Sequence, residues 1–319
     1  MHVSIRQVAE KAGVSIATVS NVINDKGRMT SETRRRVKQV IADLGYQRKN
    51  HAGNTVVLIT AVAGGFSRDW IAQAAAENGF NIQEIVCGTR LESVPSQRFS
   101  KRTAGVVAYG GQWKPAFLAS IYNAYPTVLM GGSAPAYHCD AVWIDNVGSI
   151  YAATEYLIRR GHRRIGLING PDNSATSGEK QIGFSRALRH AGIQEYCISV
   201  HARNFSYTNG ENAAYALLSN TPRPSAIIAG ETAFGLAALD VCKNLGLRVP
   251  HDIAIITFHD DPLLERCDPP ITGMSFPEPA ICRAALSCLN HRINNPGAPG
   301  RRILFQAKLI ERESVGPPP

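Results

Sequence analysis

The N-terminal sequence holds two short helical patterns that meet at a tight turn, IRQVAEKAGVSIATVSNVIN over residues 5–24. Val8 and Ala9 belong to the first apolar stripe, and Gly13 interrupts it because glycine is a poor helix former. Ser15 stands where a second helix needs an N-cap. Each pattern is too short to be a stable helix alone. The pair therefore predicts a helix-turn-helix that packs against a third element.

A third helical pattern follows and closes this small unit. It begins at Ser31, the expected N-cap, and ends at Leu44 before Gly45. Val37 and Val40 belong to its apolar stripe, which arginine and lysine residues surround. The second helix of the unit carries short side chains on its outer face. Such side chains can reach base edges in a major groove, so the unit is typical of a DNA-binding domain.

Positive charge is concentrated in the same N-terminal unit. Residues 1–55 hold 10 Lys+Arg against 4 Asp+Glu, whereas the other 264 residues hold 24 against 21. This asymmetry indicates a polyanion that contacts one end of the chain. Charge alone leaves open a solvated surface with no partner.

Beyond this unit, apolar runs typical of buried strands alternate with amphipathic helical patterns. VVLITAV, AGVVAYGG, PSAIIAGE and DIAIITF are such runs, and GSIYAATEYLIRRGH is one of the helices between them. Continuous apolar strands separated by helices are typical of parallel sheets with helices on both faces. Ligands of such sheets bind at the carboxyl ends of the strands. The predicted fold class is a small all-α domain followed by an α/β core.

Several classes of function are disfavoured. No run of about 18 apolar residues indicates a membrane span, and no basic stretch followed by an apolar core indicates a signal peptide. The seven cysteines lack CxxC or zinc spacing, which favours reduced thiols in the cytoplasm. GxxxxGK[ST], GxGxxG and paired catalytic groups are also missing from the sequence. We therefore expect no catalytic residue, no metal and no cofactor, and a protein that is not an enzyme.

The motifs of the N-terminal unit resemble a known family. V-A-x-x-A-G-V-S-x-x-T-V-S-x-V-x-N, followed by T-R-x-R-V and L-G-Y, resembles the DNA-binding head of the LacI/GalR family of bacterial transcription regulators and covers nearly all of residues 3–46. WIDNVGSIYAATEYLIRRGHRRIGLING and LGLRVPHDIAIITFHDDPL resemble the family's effector-binding core, which is similar to periplasmic sugar-binding proteins. The resemblance implies a helix-turn-helix domain over 1–46, a hinge over 47–55, and a two-lobed core over 56–319 with lobes near 56–145 and 146–273 and C-terminal crossovers.

The hinge departs from the family pattern. Relatives carry a segment here that forms a short helix on DNA and inserts a leucine into the minor groove, which kinks the duplex. The sequence QRKNHAGNT is shorter and contains no leucine. The predicted hinge therefore lacks this wedge.

The resemblance assigns base reading to the second helix, at Ile16 and Ala17 with Asn21 one turn further on. Many relatives carry an arginine in place of Asn21. Asparagine prefers adenine, whereas arginine binds guanine, and Ile16 and Ala17 offer apolar contact to thymine methyl groups. The predicted phosphate contacts, with two arginines added to the family positions, are Ser4, Arg6, Ser15, Thr18, Ser20, Asn24, Arg28 and Thr33.

The resemblance also places effector contacts in the cleft between the lobes. They are Phe66, Asp145, Thr176, Lys180, Glu231, His259 and Asp260. Relatives commonly carry arginine at Lys180 and aspartate at His259; lysine lacks the bidentate fork and histidine can titrate. Asp145 could instead have a structural role at the lobe junction, and Lys180 could be a surface lysine. His162, in a turn shared with the family, is expected to pack locally.

These features predict a cytoplasmic, nucleoid-associated bacterial regulator, expected to be a repressor. A homodimer or higher oligomer would bind a near-palindromic operator, and a small sugar-like ligand in the core cleft would change DNA affinity. One alternative is a DNA-binding regulator whose core is a dimerisation scaffold that binds no small molecule. A solute-binding protein or a carbohydrate-acting enzyme is disfavoured by the missing signal peptide and the missing catalytic groups.

Overall fold

The structure is a computed structural model that describes residues 5–23, 29–44, 53–60, 68–87, 99–100, 102–110, 113, 115–131 and 139–319. In these ranges a three-helix unit precedes two α/β sheets, which confirms the predicted fold class. None of the described helices is long and apolar enough to span a lipid bilayer. The linker segment 47–52, for which a wedge-free hinge was predicted, lies outside the described residues.

The N-terminal unit consists of three helices around one small apolar core. They are α1 (Ile5–Ala12), α2 (Ile16–Ile23) and α3 (Ser31–Leu44). Val8, Val19 and Val37, one from each helix, are fully buried at its centre. Gly13 adopts φ +64° between α1 and α2, a left-handed conformation that only glycine takes without strain. The turn therefore requires a glycine, and the burial of the valines fixes which face of α2 points outward.

Hydroxyl side chains cap two of these helices. The backbone N–H of Thr18 donates to Ser15 Oγ at 3.1 Å, as predicted for Ser15. The expected cap of α3 was wrong: the N–H of Thr33 donates to Thr30 Oγ1 at 3.2 Å, and Ser31 is the first helical residue. Threonine and serine both cap helices, so neighbouring hydroxyl residues look alike in the sequence and only the backbone path separates them.

The elements of the core alternate along the chain. In chain order they are β1 (Thr55–Thr60), α4 (Arg68–Glu77), β2 (Asn81–Val86), β3 (Thr103–Tyr109), α5 (Pro115–Ala124), β4 (Thr127–Met130), β5 (Asp140–Ile144), α6 (Asn146–Arg159), β6 (Ile165–Asn169), α7 (Ala175–Ala191), β7 (Ile198–His201), α8 (Tyr207–Leu218), β8 (Ala226–Ala229), α9 (Thr232–Asn244), β9 (Ala254–Phe258), β10 (Thr272–Ser275), α10 (Glu278–Asn294), β11 (Arg302–Phe305) and β12 (Lys308–Ile310). Short 3-10 helices cover Gln194–Tyr196 and Pro262–Arg266.

The first sheet, with its helices, is called lobe one. Its described strands are all parallel and run in the order β2-β1-β3-β4-β5-β11. Helices α4 and α10 cover one face, where Ile71 and Leu286 pack on Val107 in one apolar cluster. Helix α5 covers the other face through Phe117 and Ile121. Both faces are buried, which explains why the central strands are apolar at nearly every position.

The second sheet, with its helices, is called lobe two. Its described strands run in the order β7-β6-β8-β9-β10-β12, and only β12 is antiparallel to its neighbour. Helices α6 and α7 cover one face, with Leu157 and Phe184 in the cluster, and α8 and α9 cover the other, with Leu217 and Phe234.

Within the described residues the chain crosses between the lobes three times. It passes from β5 to α6 at Asp145, from β10 to α10 at residues 276–277, and from β11 to β12 at residues 306–307. Strand β11 thus completes the sheet of lobe one, although it follows the whole of lobe two in sequence. The first and third crossings lie beside each other, since the N–H of Asp145 donates to the carbonyl of Phe305 at 2.8 Å.

A buried ion pair ties the C-terminal helix to lobe one. Asp140 at the start of β5 has no exposed surface and accepts two hydrogen bonds from Arg292 of α10, at 2.9 and 3.1 Å. The N–H of Arg301 donates to the same carboxylate at 2.6 Å. One carboxylate therefore positions α10 and the start of the chain that leads into β11.

We expect Asp140→Asn to destabilise the core by about 3 kcal/mol, because it leaves the buried guanidinium of Arg292 without its counter-charge. Urea denaturation followed by circular dichroism measures the loss. The matched control is Asp252→Asn, which breaks a surface pair with Arg248 and should change little. Equal effects of the two substitutions would contradict the role assigned to Asp140.

His162 connects the turn after α6 to the C-terminal tail, in agreement with the expected packing role. Its ring has no exposed surface; Nδ1 lies 2.9 Å from Ser225 Oγ and Nε2 lies 3.0 Å from the carbonyl of Gly316. Because a carbonyl only accepts, Nε2 carries a proton, and a neutral ring then accepts from Ser225 at Nδ1. Burial lowers the pKa of His162, since desolvation disfavours the imidazolium.

A lowered pKa in the folded state has a defined consequence for stability. The unfolded chain takes up the proton near the usual value of 6.5, before the folded protein does, so stability is lost as pH falls through that value. We expect the free energy of unfolding to drop between pH 7.5 and 5.5, and His162→Gln to flatten this dependence. His251→Gln, at an exposed histidine, is the control. An unchanged pH profile in His162→Gln would contradict the assignment.

Candidate ligand pocket and DNA-binding surface

A pocket of about 280 Å³ lies between the lobes and is lined by aromatic, charged and polar side chains. Lobe one contributes the last residues of three adjacent strands, Tyr109, Met130 and Ile144. Lobe two contributes Phe258, the last residue of β9, and Glu231, which follows β8. Strand ends of the two sheets thus converge on one space, and carboxyl ends of strands are where ligands of such sheets bind.

Lys180 and Glu231 form a buried ion pair at the floor of this pocket. The Lys180 side chain is 2% exposed, and its Nζ donates to the carbonyl of Gly230 at 2.6 Å and to Glu231 Oε1 at 2.9 Å. The same Nζ lies 4.2 Å from the ring centroid of Phe258, a cation–π contact. Burial excludes the alternative that Lys180 is a surface lysine. Its ammonium instead fixes Glu231 relative to α7.

His259 stands beside this pair in a strained backbone conformation. Its φ is +87°, which is costly for a residue with a Cβ and is typical of sites where the surrounding structure imposes the geometry. Its Nε2 lies 3.7 Å from Glu231 Oε2, and its ring packs against Phe258 and Phe276. These contacts aim the imidazole into the pocket.

The pKa of His259 lies below its usual value. Desolvation by burial is the largest cause, because it disfavours the charged imidazolium. Glu231 raises the pKa and Lys180 lowers it. The ring is therefore neutral near pH 7, with one nitrogen able to donate and one able to accept.

The structure separates the predicted effector residues into two groups. Thr176, Lys180, Glu231 and His259 line the pocket together. Asp145 and Asp260 are not among its described lining residues. Phe66 lies outside the described residues. Contact of any of the seven with a ligand stays a prediction.

Asp145 and Asp260 have structural partners instead. Asp145 Oδ1 accepts from the N–H of Gly148 at 2.7 Å and caps α6, which supports its structural role at the lobe junction. Asp260 Oδ1 accepts from Arg312 Nη1 at 2.6 Å, so it anchors the C-terminal tail. The structural alternative for Asp145 was available from the sequence, whereas the role of Asp260 was not, because its partner Arg312 lies far along the chain.

Sequence reasoning did not identify the aromatic and acidic wall of the pocket. The unpredicted lining residues with aromatic or polar side chains are Tyr109, Asn146, Phe205, Phe258, Phe276 and Glu278. Tyr109 and Phe258 end buried strands, and this position was the available signal. Phe276 and Glu278 lie where the chain crosses from β10 to α10, so only the tertiary structure brings them to the pocket. Burial raises the pKa of Tyr109, with further contributions from Glu278 and then Glu231.

The outer face of α2 carries the predicted base-reading residues. Ile16 is 43% exposed, and Ala17 and Asn21, four residues apart on one face, are also exposed. Val19 and Val22 point into the core. The exposed apolar side chain of Ile16 suits contact with a thymine methyl group.

The predicted phosphate contacts are described only in part. Ser15 is exposed and shares its hydroxyl with Thr18 at 2.9 Å, and Thr33 pairs with Thr30 at 2.8 Å. Ser4, Asn24 and Arg28 lie outside the described residues. The structure describes the backbone of Arg6 and Ser20 in α1 and α2 but not their side chains.

A basic surface on α3 extends the N-terminal unit. An open depression on α3 is lined by Ser31, Arg34, Arg35, Lys38 and Gln39. Part of the positive charge predicted for the N-terminal unit therefore lies on the first turns of α3.

Among the described residues no group of three or more histidine, cysteine or acidic side chains is placed to hold a metal ion.

Comparison with known proteins agrees with this architecture. Residues 4–49 match the family described as bacterial regulatory proteins, lacI family, and residues 154–315 match the periplasmic binding protein-like domain. The HTH-type transcriptional regulator CelR of Thermobifida fusca is 30% identical over 341 residues, with 98% of each chain covered. The chain belongs to the LacI family. The HTH-type transcriptional repressor PurR of Shigella sonnei (strain Ss046) is also 30% identical, over 99% of this chain and 98% of that protein.

Solved structures of LacI-family proteins share the fold over nearly the whole chain. The complex of the transcriptional regulator CelR with cellobiose has a TM-score of 0.72 at 28% identity, covering 98% of this chain and all of that one. The lac repressor dimer bound to operator and the anti-inducer ONPF has a TM-score of 0.71 at 19% identity, covering 99% and 100%. The second likeness concerns the fold alone.

The Lys180–Glu231 pair can be tested by a double-mutant cycle. Glu231→Gln leaves a buried ammonium without its counter-charge and should destabilise the core by about 2 kcal/mol. The double variant Glu231→Gln/Lys180→Met should lose less unfolding free energy than the sum of the losses in the two single variants, because the two side chains stabilise each other. Urea denaturation supplies the four free energies of unfolding. The exposed pair Arg160–Glu311 is the control and should show little coupling; equal coupling in both cycles would contradict the buried pair.

Proposed function

We propose that this LacI-family protein is a repressor that binds a near-palindromic operator as a dimer and changes its DNA affinity when a small ligand occupies the pocket between the lobes. The observation that carries the proposal is the outer face of α2, where Ile16, Ala17 and Asn21 are exposed on a helix whose other face is buried. Short exposed side chains on such a helix have the chemistry that reads base edges in a major groove.

Each part of the N-terminal unit has a separate task on DNA. Asn21 favours adenine, and Ile16 and Ala17 favour thymine methyl groups, so specificity comes from α2. The basic residues on α3, including Arg35 and Lys38, neutralise phosphates and supply affinity that falls with salt. The backbone N–H groups at the start of α2, next to Ser15, add a phosphate contact. This contact does not depend on the base sequence and requires no charged side chain.

The pocket supports ligand control of this DNA binding. Its walls come from both lobes and from the crossing before α10, so a ligand that contacts all three favours one arrangement of the lobes. The solved relatives point the same way: one is a regulator in complex with cellobiose, and another is a dimer on operator with an anti-inducer. A sugar or a similar polar metabolite is the expected class.

The alternative is a core that only dimerises and binds no small molecule. The full engagement of Lys180 by Glu231 and Gly230 favours it, because a side chain committed inside the protein offers less to a ligand. Isothermal titration calorimetry against sugars, sugar phosphates and nucleobases separates the two functions. Heat of binding at the pocket, lost on Thr176→Trp, supports ligand control; no binding across the panel supports the scaffold.

The proposal includes expectations about the cellular location of the protein and about enzymatic activity. Binding to a chromosomal operator would place the protein in the bacterial cytoplasm. No enzymatic role is proposed, and the relatives with matching length are transcriptional regulators. A sugar turned over by the purified protein would contradict this view.

Selection of bound duplexes from a random pool, at two salt concentrations, tests operator recognition. We expect a symmetric enriched site and an affinity that falls steeply with salt. Asn21→Arg should change the preferred base at one position in each half-site, towards guanine. Lys38→Ala should weaken binding to all sequences alike and lower the salt slope by about one.

The two substitutions serve as controls for each other, since one acts on specificity and the other on affinity. Equally weak binding to every duplex at physiological ionic strength would overturn the proposed function. A base preference that follows Lys38→Ala rather than Asn21→Arg would overturn the assignment of α2 as the reader.

A further inference from the structure

Three neighbouring arginines form an exposed basic surface at the amino ends of two strands of lobe two. Arg163 and Arg164 directly precede β6, and Arg223 lies shortly before β8. All three side chains are exposed. They are neighbours, since Arg164 Nε donates to the carbonyl of Arg223 at 3.1 Å. These residues are called the arginine surface, and the chain around them in lobe two is described without a gap from residue 139 to 319.

The direction of the strands places the arginine surface on the far side of lobe two from the pocket. Phe258 and Glu231 mark the carboxyl ends of β9 and β8 at the pocket, and β6 is parallel to β8. The amino ends of β6 and β8 therefore lie at the opposite edge of the sheet. In lobe one the linker from the N-terminal unit reaches the sheet at Thr55, the amino end of β1, while Tyr109 at the carboxyl end of the parallel β3 lines the pocket. The core thus lies between the arginine surface and the attachment point of the linker.

Backbone carbonyls hold each of the three guanidinium groups in place. Arg163 Nη1 donates to the carbonyls of Ile158 and His162 at 2.9 and 3.2 Å. Arg223 Nε donates to the carbonyl of Leu218 at 3.0 Å. Ile158 and Leu218 lie in the last turns of α6 and α8, so these contacts also compensate two helix ends. A guanidinium has five N–H donors, so each group keeps donors for a partner and is oriented before the partner binds.

No carboxylate neutralises the arginine surface within the described residues. On the neighbouring turn Arg159 pairs with Glu155 and Arg160 pairs with Glu311, whereas no residue of the arginine surface forms an ion pair there. Compensation of helix ends explains the positions of two of the three residues. Arg164 contacts no helix end, because its acceptor belongs to the turn before β8. The surface therefore favours an anionic partner.

The composition of the surface favours a phosphate backbone over a protein. The centre of a protein interface is apolar or aromatic. None of the large apolar side chains that are exposed on the described chain lies in residues 159–164 or 219–225. Arginine binds phosphate oxygens through paired N–H groups, and such contacts require no particular base sequence.

We infer that the arginine surface is a second DNA-binding site, which holds the phosphate backbone of another duplex segment without sequence preference. The inference goes beyond the proposed function, in which only the N-terminal unit contacts DNA. Because the core separates the two sites, the segment at the N-terminal unit leaves the arginine surface open to a different segment. One molecule therefore bridges two duplex segments.

Chemical protection tests the site in the unchanged full-length protein. Phenylglyoxal modifies exposed guanidinium groups, and peptide mass spectrometry gives the rate at each arginine with and without an excess of a random-sequence duplex. Three arginines exposed elsewhere on the core serve as internal controls, namely Arg203, Arg266 and Arg283. We expect the duplex to slow modification of the arginine surface roughly fivefold, because bound phosphates occupy the reacting N–H groups, and to leave the control rates nearly unchanged.

Two outcomes of this experiment overturn the inference. One is an equal rate at the arginine surface with and without the duplex. The other is protection by poly-L-glutamate that matches protection by the duplex at the same concentration of charge, since it assigns the surface to an acidic protein.

Bridging is tested with variants that are first checked for folding by circular dichroism. Beads carrying an excess of the selected operator hold the protein by its N-terminal unit, and the retained amount of a labelled random-sequence duplex reports the second site. Arg163→Gln/Arg164→Gln/Arg223→Gln should lower retention roughly tenfold, because three phosphate contacts are lost, and should leave operator affinity nearly unchanged. If this variant does not fold, Arg164→Gln alone, which removes no helix-end contact, should lower retention in the same direction.

The matched control is Arg203→Gln/Arg266→Gln/Arg283→Gln, which removes the same charge from other parts of the core and should retain the duplex. Equal losses in the two triple variants overturn the inference, because retention would then depend on total charge. Undiminished retention after the arginine surface is changed overturns it as well.

The two proposals fail separately. Phenylglyoxal protection requires no operator, so its absence removes the second site and leaves operator recognition standing. Duplex binding by the N-terminal unit without a preferred site removes the proposed function, while protection of the arginine surface does not depend on that preference.

Discussion

The three crossings between the lobes determine where the pocket of the described core lies. The chain passes from one lobe to the other after β5, β10 and β11, and strand ends from both sheets line one pocket. Loops at strand ends are free to vary without disturbing the buried strands. The buried pair Asp140–Arg292 and the tail contacts of His162 hold the late elements in place, and these late elements complete both sheets.

The pocket shows how a change of residue type alters a site without altering its fold. A lysine at position 180 cannot form the bidentate fork that arginine would offer a ligand. The Lys180 side chain is long enough to reach the carbonyl of Gly230, so its ammonium lies inside the protein and forms an ion pair with Glu231. The carboxylate of Glu231 thereby gains a fixed position in the pocket.

The N-terminal unit was the most predictable part of the chain. Its helices are local, so the spacing of apolar residues placed Val8 and Val37 in the core, and the family motif assigned Ile16, Ala17 and Asn21 to the outer face, where they are exposed. The error at the cap of α3 concerned one residue, since Thr30 and Ser31 are chemically equivalent for this purpose. The alternation of apolar strands and helices likewise predicted the α/β core.

The sequence by itself determined the fold class, the family and the outward face of α2, because these follow from periodicities and motifs within a few turns of chain. The pocket needed the tertiary structure. Thr176, Lys180, Glu231 and His259 were named in advance, but their mutual contacts, the strain at His259 and the arrival of Phe276 and Glu278 depend on segments brought together by the crossings. Asp260 was grouped with the lining residues, and only its distant partner Arg312 separated it from them; for Asp145 the structural alternative was already open, and the local cap on Gly148 supports it. Side-chain partners distant in sequence leave no local pattern, and this is why the contacts within the pocket emerged only from the fold.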